Sequence, residues 1–260
     1  MLSPDTTGET VSLEGTPADD GIWPQVAHDA GNTRYVTGAN PPEDEARIAW
    51  RSPDVRSLYP PVVSNDLYLT ERWTDGAAFS LDHRDGTKRW EDQSLPPMRN
   101  SPAVHEERTF VLTRAEGNIV RLHALLTDDG REQWVRSDDV TATGNTGPTI
   151  ADGTLFIPSA TGVSAFEAET GKLEWDEKIE DHDKGNRITI WPKPAVRGGQ
   201  VYTYDTFFQA DEGNLPVYAL DKASGNPVWT TKIGLRNNWE PHSPYAVAGR
   251  ENIFVTVAKE

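Results

Sequence analysis

The chain has 260 residues, 41 of them acidic and 25 basic, for a formal net charge of -16; this is length for one large core, and so acidic a surface repels phosphate backbones and excludes nucleic acid as a partner. The absence of cysteine excludes disulfides, thiolate catalysis and cysteine-based zinc sites, and no apolar run approaches the roughly 18 residues of a membrane helix. The basic set is 17 Arg to 8 Lys, and many carboxylates with few lysines point to a salt-adapted, haloarchaeal surface whose self-repulsion is screened by concentrated salt.

In chain order, residues 1–22 are polar and acidic and are expected to be disordered. They lack the basic start and apolar stretch of a secretory signal. The chain is therefore expected to be cytoplasmic if it is complete, and exported or at the cell surface if its native N-terminus lies elsewhere. Trp23 to Arg34 (WPQVAHDAGNTR) leads to Trp50, an outer strand standing alone.

From there a ten-residue phrase recurs: Leu81 to Trp90, Leu125 to Trp134, Phe166 to Trp175 and Leu220 to Trp229. Each copy holds a glycine four residues before its tryptophan, giving Gly86 with Trp90, Gly130 with Trp134, Gly171 with Trp175 and Gly225 with Trp229. The spacing reads as a hairpin: an apolar strand end, a polar turn whose glycine takes positive φ, then a short strand delivering a large aromatic. Upstream of each phrase a proline introduces small or β-branched residues and an alternating strand, as in Pro102-Ala103-Val104 before Phe110-Val111-Leu112. A fifth copy opens at Pro244 and reaches Ile253-Phe254-Val255 without a closing glycine-to-tryptophan phrase.

Two hairpins per unit, with tryptophans 44, 41 and 54 residues apart, match the blade of a β-propeller. The expected fold is all-β, with blades at about 58–92, 100–136, 146–178 and 192–232 and a partial one at 243–260, within a domain of residues 23–260. A ring must protect its open edges. One reading closes it at five blades with Trp50 as the outer strand of the Pro244 unit; the preferred one takes the chain as a fragment of a seven- or eight-bladed protein. The repeating tryptophans are expected to pack blade against blade, and Asp82, Asp85, Glu167 and Asp221 to form turns.

The Asp/Glu-x-x-Thr/Ser-Gly-x-x-x-Trp phrase resembles the signature of pyrroloquinoline-quinone-like (PQQ-like) propeller repeats, shared by quinoprotein dehydrogenases and outer-membrane assembly scaffolds. The Trp23 to Arg34 segment is similar to the one that precedes the first blade in such proteins. The chain departs from the signature at Asp85 and Asp129, where Thr or Ser is usual, at Leu126 in the acidic position, and in a long insertion around residues 205–214.

The loops entering successive blades differ from one another and are expected to gather at one mouth of the channel. Arg99, Asn100, Asn145, Arg187, Trp191, Asn238, Trp239, Glu240 and His242 supply amides, cations and aromatics that suit a polar, ring-shaped or anionic ligand. The alternative is ordinary turn chemistry, with Trp191 and Trp239 capping the core. Resemblance to the dehydrogenases implies PQQ with calcium and a catalytic aspartate, yet no motif here matches those roles. Glu240 and Asn238 offer two oxygens where calcium takes six to eight, and the six histidines show no metal-ligand spacing.

No catalytic residue, resident metal or cofactor is therefore assigned. The expected function is a non-catalytic scaffold presenting a rigid surface and channel mouth to a protein or small ligand. A PQQ-dependent alcohol or sugar dehydrogenase and a small-molecule or metal sensor are the alternatives.

Overall fold

A computed structural model describes residues 24–27, 29–30, 32, 50–51, 59–71, 77–98, 100–114, 119–137, 140, 147–159, 162–179, 193–204, 214–234, 239–241, 246–249, 252–255 and 257–259. The described structure is all β. Four antiparallel sheets of four strands follow in chain order. Blade 1 holds β1 (Val62–Val63), β2 (Leu67–Glu71), β3 (Ala77–Leu81) and β4 (Lys88–Asp92). Blade 2 holds β5 (Ala103–His105), β6 (Arg108–Arg114), β7 (Val120–Leu126) and β8 (Glu132–Arg136). Blade 3 holds β9 (Thr149–Ala151), β10 (Thr154–Pro158), β11 (Gly162–Glu167) and β12 (Leu173–Lys178). Blade 4 holds β13 (Ala195–Arg197), β14 (Gln200–Tyr204), β15 (Asn214–Asp221) and β16 (Pro227–Gly234).

The fifth unit is a long interrupted hairpin. β17 (Trp239–Pro241) pairs with β20 (Val257–Lys259), and β18 (Val247–Ala248) pairs with β19 (Ile253–Phe254). Among the described residues no strand pairing joins this unit to blade 1. The first strands of successive units touch in order, β1 with β5, β5 with β9, β9 with β13 and β13 with β18. These short strands line the axis, and the tryptophan-bearing strands stand at the opposite edge of each sheet.

The recurring phrase builds the same turn four times. The glycine N–H donates to the carbonyl four residues back, as from Gly86 to Asp82 at 2.8 Å and from Gly130 to Leu126 at 3.0 Å. The glycines hold φ between 69° and 75°, in the left-handed region that a Cβ disfavours. The departures from the signature at Asp85 and Asp129 prove chemically equivalent to the usual hydroxyls. Asp85 Oδ1 accepts from the N–H of Thr87 and Asp129 Oδ1 from that of Arg131, just as Thr170 Oγ1 accepts from Lys172 and Ser224 Oγ from Asn226. A short side-chain oxygen accepting from the N–H two residues on is all this turn requires.

One residue is bulged out of the ladder directly before each tryptophan, since Ser80 faces Trp90 while Leu81 faces Lys88, and blades 2 to 4 repeat the offset. A bulge re-aims the side chain that follows it. Each indole therefore tilts onto an aromatic of its own second strand, Tyr68 with Trp90, Phe110 with Trp134, Phe156 with Trp175 and Tyr202 with Trp229, at centroid separations of 5.8 to 6.3 Å.

Between blades, the indole fills the space a side chain on the next turn would need. A Cβ built on Gly130 falls 2.5 Å from Trp90 Cε3, one on Gly171 2.7 Å from Trp134 Cε3, and one on Gly225 2.6 Å from Trp175 Cε3. Trp50 stands in the same relation to Gly86. The indole N–H then donates into the covered turn, from Trp50 to His83 O, Trp90 to Thr127 O, Trp134 to Glu169 O and Trp175 to Lys222 O. Buried apolar clusters fill the blade interfaces, among them one that joins Phe110 and Leu122 of blade 2 to Ile150 and Leu155 of blade 3.

Candidate functional site

The segment from Pro24 to Asn32 lies along the axial strands and is bonded to three complete blades and the fifth unit. Its backbone meets blade 2, where Gln25 forms an antiparallel bridge with Ala103 and Val104 N donates to Pro24 O. It meets blade 4 where Val196 N donates to Ala30 O. The Gln25 carboxamide meets blade 3 as a strand would, donating from Nε2 to Ile150 O and accepting at Oε1 from Ile150 N, both at 3.0 Å. Lys193 of blade 4 donates to the same Gln25 Oε1 at 3.0 Å and to Val26 O at 2.9 Å. The Asn32 amide reaches Pro194 O at 3.2 Å and Ala246 O at 2.9 Å, which ties the fifth unit in.

This assembly is buried. Gln25, Val26, Asn32 and Lys193 are all buried, Lys193 completely. Burial pushes the Lys193 ammonium down to about 7, with the negative charge of Asp29 working against it. Two residues of the segment take left-handed backbone, Ala27 at φ 67° and Asn32 at φ 57°. Asparagine tolerates that conformation and alanine disfavours it, so the surrounding hydrogen bonds hold Ala27 there. The ground beside β5, β9 and β13 is thus taken by the chain itself.

Of the residues expected at the channel mouth, Arg99, Asn145, Arg187, Trp191, Asn238 and His242 lie outside the described residues. Asn100 is 3% exposed, so it belongs to the interior and not to an open rim. Its Nδ2 donates to Leu112 O at 3.4 Å, and its backbone carbonyl accepts from Thr70 Oγ1. Trp239 and Glu240 fall in β17, which extends the fifth hairpin by pairing with Lys259 and Ala258.

Two other clusters have the residue types of chemistry. In blade 2, Thr113 Oγ1 lies 2.9 Å from His123 Nε2, and His123 Nδ1 lies 2.7 Å from Glu132 Oε2. That is the order of a hydroxyl, a base and an orienting carboxylate, but Thr113 and His123 are 1% and 3% exposed and present no reacting atom to a substrate. Desolvation holds the His123 pKa below its ordinary value despite Glu132, which keeps the ring neutral at pH 7 and makes the line a structural tie. In blade 1, ligand atoms of Asp66, from the turn between β1 and β2, gather with those of Asp82 and His83, from the turn between β3 and β4. Arg89 already serves as its cation, paired to both carboxylates.

Reading along the sequence missed Lys193 and the roles of Gln25 and Asn32. A signal was present: the residue before the blade-opening proline is Pro60, Ser101, Gly147 and Ser243 in four units and Lys193 in blade 4. A long cation where the repeat asks for a small residue marks a place with a partner of its own.

Comparison with known proteins places this architecture. The curated serine/threonine-protein kinase AfsK of Streptomyces griseus is 26% identical over 169 residues, 60% of this chain and 19% of that protein. The structure is similar to BamB from Moraxella catarrhalis at 14% identity and a TM-score of 0.55, covering 75% of this chain and 53% of that one. It is similar to quinohemoprotein alcohol dehydrogenase from Comamonas testosteroni at 15% identity and 0.56, covering 94% and 47%. For the quinohemoprotein alcohol dehydrogenase ADHIIG of Pseudomonas putida HK5 the values are 17% and 0.60, covering 92% and 45%. The chain spans about a fifth of the kinase and about half of each solved structure, and at these identities the structural likeness is one of fold. A family model described as outer membrane protein assembly factor BamB matches residues 35–256. With that match over most of its length, on a four-times-repeated blade, the chain belongs to this PQQ-like propeller-repeat family.

Proposed function

We propose that this chain is a non-catalytic binding or assembly scaffold whose blades present a rigid surface to a protein partner. The observation that carries the reading is the occupied axis: Gln25, Lys193 and the Asn32 NH2 group tie blades 2 to 4 and the fifth unit together. What is left for recognition is the outer surface and the rims, which suits a macromolecule better than a buried cofactor. The family description, an assembly factor, points the same way.

A second reading, a sensor module, is favoured by the likeness to a stretch of a serine/threonine-protein kinase. The dehydrogenase reading draws support from fold likeness alone. One experiment separates enzyme from scaffold: the full chain is given PQQ with calcium, and both thermal shift and dye reduction are followed. The scaffold reading expects both to stay flat, and a quinone-dependent dye reduction overturns it. A small metabolite that raises the melting temperature in a saturable way would favour the sensor.

A further inference from the structure

We infer that the cleft between blades 2 and 3, beside the turn that joins β11 to β12, is a docking site for a lysine residue of a protein partner. The inference rests on the scaffold reading, because it names the chemistry by which the partner is held.

The cleft has a volume of about 280 Å³, and its walls include Glu106 and Arg108 of blade 2 and Asp152, Ala168 and Glu174 of blade 3. The next interface along shows what the repeat can put in such a place. Thr127 N donates to Glu107 O in blade 2, Ala168 N to Gly153 O in blade 3 and Lys222 N to Gly199 O in blade 4. Thr127, Ala168 and Lys222 therefore hold one position of the blade. From that position the Lys222 side chain reaches back to blade 3, with Nζ 2.6 Å from Asp152 Oδ2.

Between blades 2 and 3 the carboxylate of that pair is kept and the ammonium is not. Glu106 precedes Phe110 as Asp152 precedes Phe156, and the two share left-handed backbone at φ 51° and 49°. Opposite Glu106, Ala168 ends at its Cβ and lines the cleft. Among the described residues neither lysine nor arginine pairs with Glu106, Glu167, Glu169 or Glu174, all of which line it. His105, 3.9 Å from Glu106, is the one base that meets them.

Arg108 supplies a separate observation. Its counterparts in blades 1 and 3 bond to the residue that precedes their own tryptophan: Asp66 Oδ1 lies 3.8 Å from Arg89 Nε, and Thr154 Oγ1 donates to Glu174 Oε2 at 3.2 Å. In blade 2 that residue is Gln133, and Arg108 Nε is buried without a hydrogen-bond partner. A buried donor left without an acceptor is rare in a folded chain. The cleft thus combines uncompensated carboxylates with an unanswered guanidinium. A lysine residue brings what both lack: an ε-ammonium for the carboxylates, as Lys222 does one interface on, and a main-chain carbonyl for the guanidinium. A simple amine would leave Arg108 as it is, which favours a polypeptide as the source.

The test titrates the full chain with the peptide acetyl-Gly-Gly-Lys-Gly-Gly-amide at low salt and follows backbone amide shifts by NMR. The site predicts saturable shifts centred on Glu106, Arg108, Gly153 and Ala168, which shrink as added salt screens the carboxylates. A peptide with norleucine in place of lysine, and Glu106→Gln in the protein, should each weaken binding by about two- to fivefold, the range for one exposed ion pair. Ala168→Lys gives the cleft its own ammonium and should abolish saturable binding. Should that variant fail to fold, the norleucine peptide and Glu106→Gln still decide. Absence of saturable shifts, shifts centred elsewhere, or equal affinity for the lysine and norleucine peptides would overturn the inference. Binding of n-butylammonium as tightly as the peptide would assign the cleft to free amines and overturn the partner. Peptide binding alongside quinone-dependent dye reduction would overturn the scaffold reading and keep the cleft; no peptide binding with a flat quinone response would overturn the cleft alone.

Discussion

Trp90 and Gly130 are one joint made from two blades: the indole stands where a Gly130 side chain would be, with Cε3 2.5 Å from the built Cβ, and Gly130 holds φ 74°. Gly153 provides the comparison, with φ 78° and nothing within 4 Å of its Cβ. Gly153→Ala should lose about 1 kcal/mol from backbone conformation alone. Gly130→Ala adds an overpacked interface and should lose about 3 kcal/mol or more. Urea unfolding of the two variants checks this, and equal losses would mean the indole moves aside freely.

The same joint sets the worth of each tryptophan. Trp90→Ala removes a buried ring and the hydrogen bond to Thr127 O, for an expected loss of about 3–5 kcal/mol. Trp229→Ala removes a ring without a glycine turn beneath it among the described residues, and its loss should stay within about 1 kcal/mol. Thermal melts of the two proteins should therefore separate clearly.

At the turn, a carboxylate and a hydroxyl do one job, so Asp129→Ser should leave stability within about 0.5 kcal/mol and Asp129→Ala should lose about 1 kcal/mol. Asp85 adds a pH signature. The Thr87 N–H and hydroxyl bonded to its carboxylate lower its pKa below 3.8. Its stabilisation is present above the unfolded value and is lost as pH falls through the lower folded one. Asp85→Ser should remove that acid-limb contribution in a pH series of denaturation midpoints.

Lys193 titrates at about 7 in the folded chain and near 10.5 when unfolded. Between those values the unfolded state binds more protons, so stability rises with pH across the window from about 7 to 10.5, and the penalty of the buried charge is fully present below it. Lys193→Met should flatten that rise in denaturation series between pH 6 and 10. It should also leave Val26 O short of a donor, so some stability is lost at every pH.

The blades were legible because the repeat writes them four times, with the glycine fixed by positive φ and the tryptophan by its interface. What the spacing hides is that Trp50, Trp90, Trp134 and Trp175 each serve the glycine of the next turn and not one four residues before them, since a sequence offset carries no information about which blade an indole leans on. The axial segment was harder still. Gln25 and Asn32 occur once, and an irregular segment that bonds to four units by side chain as well as backbone leaves no period to detect. The expected rim residues are polar groups in loops, and loop position does not report burial: Asn100 is 3% exposed.

The occupied axis is the claim on which the functional reading depends, and amide hydrogen exchange at Val104, Ile150 and Val196 tests it directly. These three N–H groups, one from each of blades 2 to 4, donate to Pro24 O, Gln25 Oε1 and Ala30 O. In the full chain they should exchange as slowly as the buried ladder amides of β6 and β10, and deletion of residues 1–32 should release all three together. Fast exchange of these amides in the intact protein would mean that the axis is open, and would contradict the account.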